Sequence, residues 1–175
     1  MVDIQTLLTY LTLISVPIGI FYYIMTLNNT RKNQQMQLET RQAQLFMNIY
    51  NQFIRKEFSE DWLMVTFHRE WDSIEDFREK YGTDTNPKAS AQLISVLAFF
   101  EGIGVLLKRN LINITMVDDL MSSYVLQTWG KYGPMMKEIS ETRNRPELWE
   151  HVNYLYNEIQ KTYKQQHGHQ LGEQL

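Results

Sequence analysis

Few side chains in this sequence can do chemistry, and one of them sits in an unexpected place. Glu101 interrupts the run Phe99-Phe100-Glu101-Gly102-Ile103-Gly104-Val105, part of the most apolar internal stretch of the chain. A carboxylate in such surroundings is expensive to bury without a partner. Two arrangements resolve the conflict. In the first, Glu101 turns to the less buried face of its helix or pairs with an arginine such as Arg143 or Arg145. In the second, it is a functional carboxylate lining a pocket, its proton held by burial. Glu101, Arg143 and Arg145 are therefore the candidate polar core.

The histidines do not add a reactive centre. Helical bundles hold metal pairs with Glu-x-x-His spacings, and the sequence has none. Glu147 and His151 lie four apart, a spacing that suits a solvated helix face. His68, beside Arg69 and Glu70, reads as structural or exposed, and His167 and His169 lie in a polar tail without fixed geometry. There is no cysteine, which removes disulfides, thiolate zinc sites and cysteine nucleophiles together. The phosphate-cradling G-x-x-x-x-G-K-S/T loop, the G-x-S-x-G elbow and the H-E-x-x-H pair are all missing. Gly102 and Gly104 match two glycines of a dinucleotide fingerprint but fall inside a helix, without the third. No catalytic residue, cofactor-binding residue or metal ligand is assigned, and the expectation is a protein that is not an enzyme and takes no cofactor.

The elements that position these residues begin with the N-terminal segment. From Ile4 to Leu27 no side chain carries a charge, and the run closes on Asn28-Asn29-Thr30-Arg31-Lys32. About two dozen residues make a helix roughly 36 Å long, enough to cross a hydrocarbon core of about 30 Å. The acidic start at Asp3, the length of the run and the lack of a small-x-small site argue against a cleaved signal peptide. Thr6, Thr9, Thr12 and Ser15 are tolerable in lipid because a hydroxyl can bond back to the preceding turn. Arg31 and Lys32 are the orientation determinants: positive charge stays inside, so the N-terminus faces out and the remainder is cytosolic. The triplets at Asn28 and Asn113 would then never meet glycosylation. The expected organisation is an extracytosolic tail (1–3), a transmembrane helix (4–27), a polar juxtamembrane helical stalk (28–44), a cytosolic helical domain (45–163) and a flexible polar tail (164–175).

Within the domain, Phe46, Ile49, Tyr50, Phe53 and Ile54 share one helix face. Ser59-Glu60-Asp61 predicts the cap and acidic first turn of a helix running to about Trp71, with Leu63, Phe67 and Trp71 inward. Ser73 caps a short helix stopped by Gly82, and Asn86-Pro87 opens the helix that ends near Arg109. That helix is too short and too closely followed by Lys108-Arg109 to be read as a second span, and its glycines allow another helix to come close. Thr115 with Asp118 predicts the next start, with Val117, Leu120, Met121, Tyr124 and Thr128 inward. The Gly130–Pro134 segment is expected to break or kink this helix. Arg145-Pro146 is expected to start the last one, with Leu148, Val152, Leu155 and Ile159 as its stripe. Core faces centred on Phe46, Phe100, Leu120 and Leu155 should each lose about 2–5 kcal/mol on truncation to alanine.

Composition narrows the classes further. The chain has 175 residues, 43% hydrophobic and 13% aromatic, enough for a packed core beside the N-terminal segment. A net charge of −3 argues against a nucleic-acid partner. No alternating strand pattern occurs, so the fold class is all-α: one N-terminal transmembrane helix continuing into a bundle of about five or six helices. The stretches Phe99–Gly104 and Lys108-Arg109-Asn110-Leu111-Ile112, with Asp119-Leu120, Trp129, Arg143, Pro146 and Leu155-Tyr156, resemble an uncharacterised family of small prokaryotic proteins with this layout. Asn110 stands where that pattern commonly has glycine; both tolerate positive φ. The resemblance implies an anchored helical domain and no reaction. The expected role is that of an accessory subunit or adaptor in the cell membrane. Its partners would be membrane lipid and another protein or membrane complex. The alternative is a homo-oligomeric sensor or stalk, with Met36, Ala43 and Tyr50 in one heptad position and Glu39 in the other.

Overall fold

The computed structural model describes residues 3–172, with side chains as far as Lys164. Among them are six helices and no strand: α1 (Ile4–Phe53), α2 (Lys56–Phe67), α3 (Ile74–Tyr81), α4 (Pro87–Lys108), α5 (Ile114–Thr142) and α6 (Glu150–Gly172). The chain divides into two units, Met1–Ala43 and Gln44–Leu175. Met1, Val2 and residues 173–175 lie outside the described residues; over the rest of the stretch expected as a flexible tail (164–175) the backbone continues α6 to Gly172.

The first unit has no interior. From Ile4 to Leu27 every large apolar side chain is exposed, Ile4 at 76% and Leu27 at 40%. The hydroxyls of Thr9 and Thr12 donate to the carbonyls of Gln5 and Leu8, each at 2.8 Å, and Ser15 bonds back to Thr12. These bonds spare the hydroxyls a search for partners outside the helix. Among the described residues two helices, α1 and α4, are long and apolar enough to cross a membrane; in the most apolar window none of α1 is buried, against 44% of α4.

In the second unit α4 is the element around which the others gather. Leu93, Val96, Leu97, Phe100, Ile103 and Leu107 recur at helical spacing and are all buried. They pack with α2, α3 and α6, while α5 packs on α2 and α6. Residues 44–53 send Phe46 and Phe53 into the same core. Phe53 meets Tyr124 edge-on at 4.7 Å between ring centres, and Phe58 lies 4.6 Å from Phe99.

Local signals set several boundaries as expected. Ser73 accepts from the Asp76 N–H at 3.1 Å, and Asn86 accepts from the Ala89 N–H at 3.1 Å with Pro87 in the first turn. Asn110 takes φ 56°; its N–H reaches Leu107 O and the Leu111 N–H reaches Leu106 O, each at 2.9 Å, the paired closure of a left-handed helix end. α5 ends the same way on Asn144, φ 52°, with the Arg145 N–H on Ser140 O at 2.9 Å.

Other boundaries move. The helix expected to start at Ser59 starts at Lys56, because Arg55 is extended (ψ 142°) and the Ser59 N–H already donates to Arg55 O. It ends at Phe67 rather than Trp71, and its inward face is Trp62, Val65 and Thr66; Leu63 and Phe67 are exposed. The cap of α5 is Asn113, whose side chain accepts from the Thr115 N–H at 2.9 Å. α5 then runs unbroken through Gly130–Pro134. An interior proline costs about 3 kcal/mol, but here Trp129 and Tyr132 before it and Met135 and Met136 after it are all buried, which outweighs that cost. Leu120 is 42% exposed, and Val125 takes the core position instead. The last helix begins at Glu150, not at Arg145-Pro146, although Val152, Leu155 and Ile159 are buried as expected.

The end of α2 is closed by α5. The Tyr132 hydroxyl donates to Val65 O at 2.8 Å, and the Lys131 ammonium donates to Thr66 O and Arg69 O at 2.7 and 2.6 Å. These donors satisfy carbonyls that a helix end leaves orphaned. Burial pushes the Lys131 ammonium below the usual lysine range and raises the Tyr132 phenol well above 10.0. The raised phenol contributes stability that is complete below about pH 10 and lost as pH climbs further, because only the unfolded chain releases that proton easily. Tyr132→Phe should therefore flatten the alkaline fall in melting temperature while lowering stability at neutral pH; an unchanged alkaline limb would assign it to other groups. Arg69 is only 3% exposed, donating to Ala89 O and to Gln92, which in turn donates to Asp61 at 2.8 Å.

Candidate functional site

Glu101 lies where α4 meets the first turn of α6. One oxygen accepts from the Val152 N–H at 2.7 Å; the other accepts from the His151 N–H at 3.2 Å and faces His151 Nδ1 at 2.8 Å. The carboxylate thus takes two of the N–H groups that a helix start leaves without partners, where the helix dipole also favours negative charge. It is a cap supplied from fifty residues away in the chain. The polar core expected at Glu101, Arg143 and Arg145 does not assemble: Arg143 is the C-terminal cap of α5, and Arg145 pairs with Glu147 at 3.0 Å.

Gly104 explains how α6 comes so near. A Cβ on it would stand 2.1 Å from the His151 carbonyl oxygen, whereas one on Gly102 would meet nothing within 4 Å. Of the two glycines that allow close approach, only Gly104 is used for it. The Lys108–Glu150 ion pair ties the end of α4 to the start of α6 and holds the Glu150 carboxyl below the usual carboxylate range. On the other side, Trp129 Nε1 donates to Asn153 Oδ1 at 3.1 Å, joining α5 to α6.

Two cavities flank the turn between α5 and α6. One, about 620 Å³, lies against Trp129, Gly130, Pro134, Lys137, Trp149 and Tyr156. The other, about 540 Å³, lies against Phe77, Tyr81, Leu93, Met136, Arg143 and, again, Trp149. Leu148 and Trp149 face both. Trp149 sits at φ 63°, a left-handed conformation that costs a bulky residue about 1–3 kcal/mol. The volumes suit a small ligand or an inserted side chain, and the walls are aromatic with a charged rim.

A proton on His151 Nδ1 facing Glu101 would leave Nε2 as a proton acceptor. No serine or threonine hydroxyl bonds to His151 among the described residues. Nor does any group of three His, Asp or Glu side chains among them converge as for a metal. The sequence reading missed His151, Trp129, Asn153 and Trp149 as members of this junction. The only signal was Glu101 itself, an acid that had to have partners somewhere.

Comparison with curated proteins and with solved structures finds no match. A family model described as a domain of unknown function, DUF4760, matches residues 11–159, which takes in most of the apolar N-terminal segment and the helices into the first part of α6. The chain therefore belongs to the DUF4760 family.

Proposed function

We propose that this is a single-pass membrane protein, anchored by residues 4–27, whose helical unit serves without catalysis as an adaptor or accessory subunit for another protein. The exposed apolar helix from Ile4 to Leu27 supports the anchor, since nothing within its own unit shields it from water. Arg31 and Lys32 directly after it favour an N-terminus outside and a cytosolic helical unit. The observation that carries the adaptor reading is an apolar surface on α2 and α5. Ile54, Leu63, Met64, Phe67 and Leu120 are all at least 42% exposed. Ile54 and Leu120 border one cleft with the Trp62 ring, and Phe67 meets that ring edge-on at 5.3 Å. Exposed apolar surface gathered in this way marks a contact site better than scattered single residues do.

The test is a Phe67→Ser, Leu120→Ser double variant of the full chain, cross-linked in its own membranes and purified in mild detergent. The expected result is loss of the cross-linked partner with the melting temperature nearly unchanged, since neither side chain is in the core. A wild-type chain that cross-links to nothing, or a variant that keeps its partner in full, would overturn the adaptor reading.

A further inference from the structure

Stepping from Gln5 alternately by four and three residues, α1 traces a row that reaches Thr40. Apart from Val16 and Gly19, every residue of this row carries an uncharged amide or hydroxyl. The row two positions on is Leu7, Leu11, Ile14, Ile18, Phe21 and Met25, without a polar atom among the side chains' ends save one thioether. Arg31, Lys32 and Glu39 all fall off the first row, which stays uncharged beyond the apolar segment as well as within it. A repeat of 3.5 residues drifts around a straight helix and stays on one side only when two helices supercoil.

Two further observations bear on what covers the row. A concavity of about 390 Å³ on the helix is lined by Asn33, Met36, Gln37 and Thr40, with Arg41 at its edge. The first four are related as i, i+3, i+4 and i+7, which is the hole that receives a knob from a facing helix. In addition, the amides of Gln5, Asn33 and Gln37 make no hydrogen bond among the described residues, while the hydroxyls of Thr9, Thr12, Thr30 and Thr40 are occupied within the helix. Of these amides Gln5 lies within the apolar segment, where an amide without a partner is costly and a neighbouring helix is where it finds one. An amide both donates and accepts, so the same residue of a second copy, at the same depth, completes it.

We propose that a second copy of this chain covers the row from Gln5 to Thr40, forming a parallel two-stranded supercoil; this rests on residues 4–27 spanning the membrane. The lipid-facing side is then the Leu7–Met25 row, and Gly19 is the point of closest approach. The seam differs from a Met36, Ala43 and Tyr50 register, which would put Glu39 in the core.

Because the chain has no cysteine, single cysteines report cleanly. Asn33→Cys, Gln37→Cys and Thr40→Cys, with Lys32→Cys, Gln35→Cys and Glu39→Cys as the opposite face, would be made in the full chain and oxidised in native membranes. Disulfide-linked dimer should form several-fold more at 33, 37 and 40 than at 32, 35 and 39. Equal yields, or a maximum on the opposite face, would overturn the proposal. Gly19→Ile, harmless to a lone helix because a Cβ there meets nothing within 4 Å, should reduce the Gln37→Cys yield several-fold; an unchanged yield would remove the membrane part of the seam and with it the proposal. Alkaline carbonate extraction of the same membranes separates the two levels. A chain released by carbonate defeats the anchor itself, whereas a retained chain without phased cross-linking defeats only the second copy.

Discussion

Phe100→Ala is expected to lower the stability of the helical unit by about 3–5 kcal/mol, the largest loss from any single truncation considered for this chain. Its ring is 0% exposed on the most buried face of α4, with Phe99 at 5.7 Å and Phe58 edge-on at 6.2 Å between ring centres. Removing it forfeits the transfer energy of the ring and leaves a hole, since α2 and α6 are themselves held by other contacts. Leu120→Ala, at a position read from sequence as equally inward, should change stability by no more than about 0.5 kcal/mol because the side chain lies at the surface. All four tryptophans fall between residues 62 and 149, so tryptophan fluorescence of the full chain in detergent, excited where tyrosine does not absorb, reports on this unit alone. Comparable losses for the two variants would mean that the helix phase of α5 is misplaced.

The second large effect concerns two glycines two residues apart. Gly104→Ala should destabilise by about 1–3 kcal/mol or more, because its methyl group would overlap the His151 carbonyl, which is backbone and cannot rotate away. Gly102→Ala, in open space on the same helix, should instead gain about 0.5–1 kcal/mol from the propensity of alanine. Glu101→Gln should lose about 1–3 kcal/mol, because one amide oxygen replaces two charged acceptors at the start of α6. Since Gly104→Ala already displaces that start, the two losses should combine to less than their sum. Additive losses would show that the cap and the close approach act on different parts of α6.

How far the fold was legible from sequence depends on how far away each residue finds its partner. Ser73, Asn86 and Asn110 were read correctly because the groups they satisfy lie within a few residues. The stripe of Val152, Leu155 and Ile159 was read correctly because its period is undisturbed. Ser59 misled because its type suits a cap, while the true start was set by the extended backbone of Arg55. Pro134, a strong local breaker, does not end α5, because buried neighbours on both sides override it. Leu120 and Val125 could not be ranked without knowing which way α5 faces, since both fit a helical spacing. The site was the least legible part. Glu101 identified itself by standing in an apolar run, but its partners are backbone N–H groups, which carry no residue-type signature.

The left-handed tryptophan has one more implication. At position 149 glycine would relieve the backbone, yet the indole does something glycine would not: it lines two chambers of similar size at once. Their capacities are therefore not independent. An occupant on the α6 side and an occupant on the α3 side would both rest against that one ring, so each would bear on the other's site.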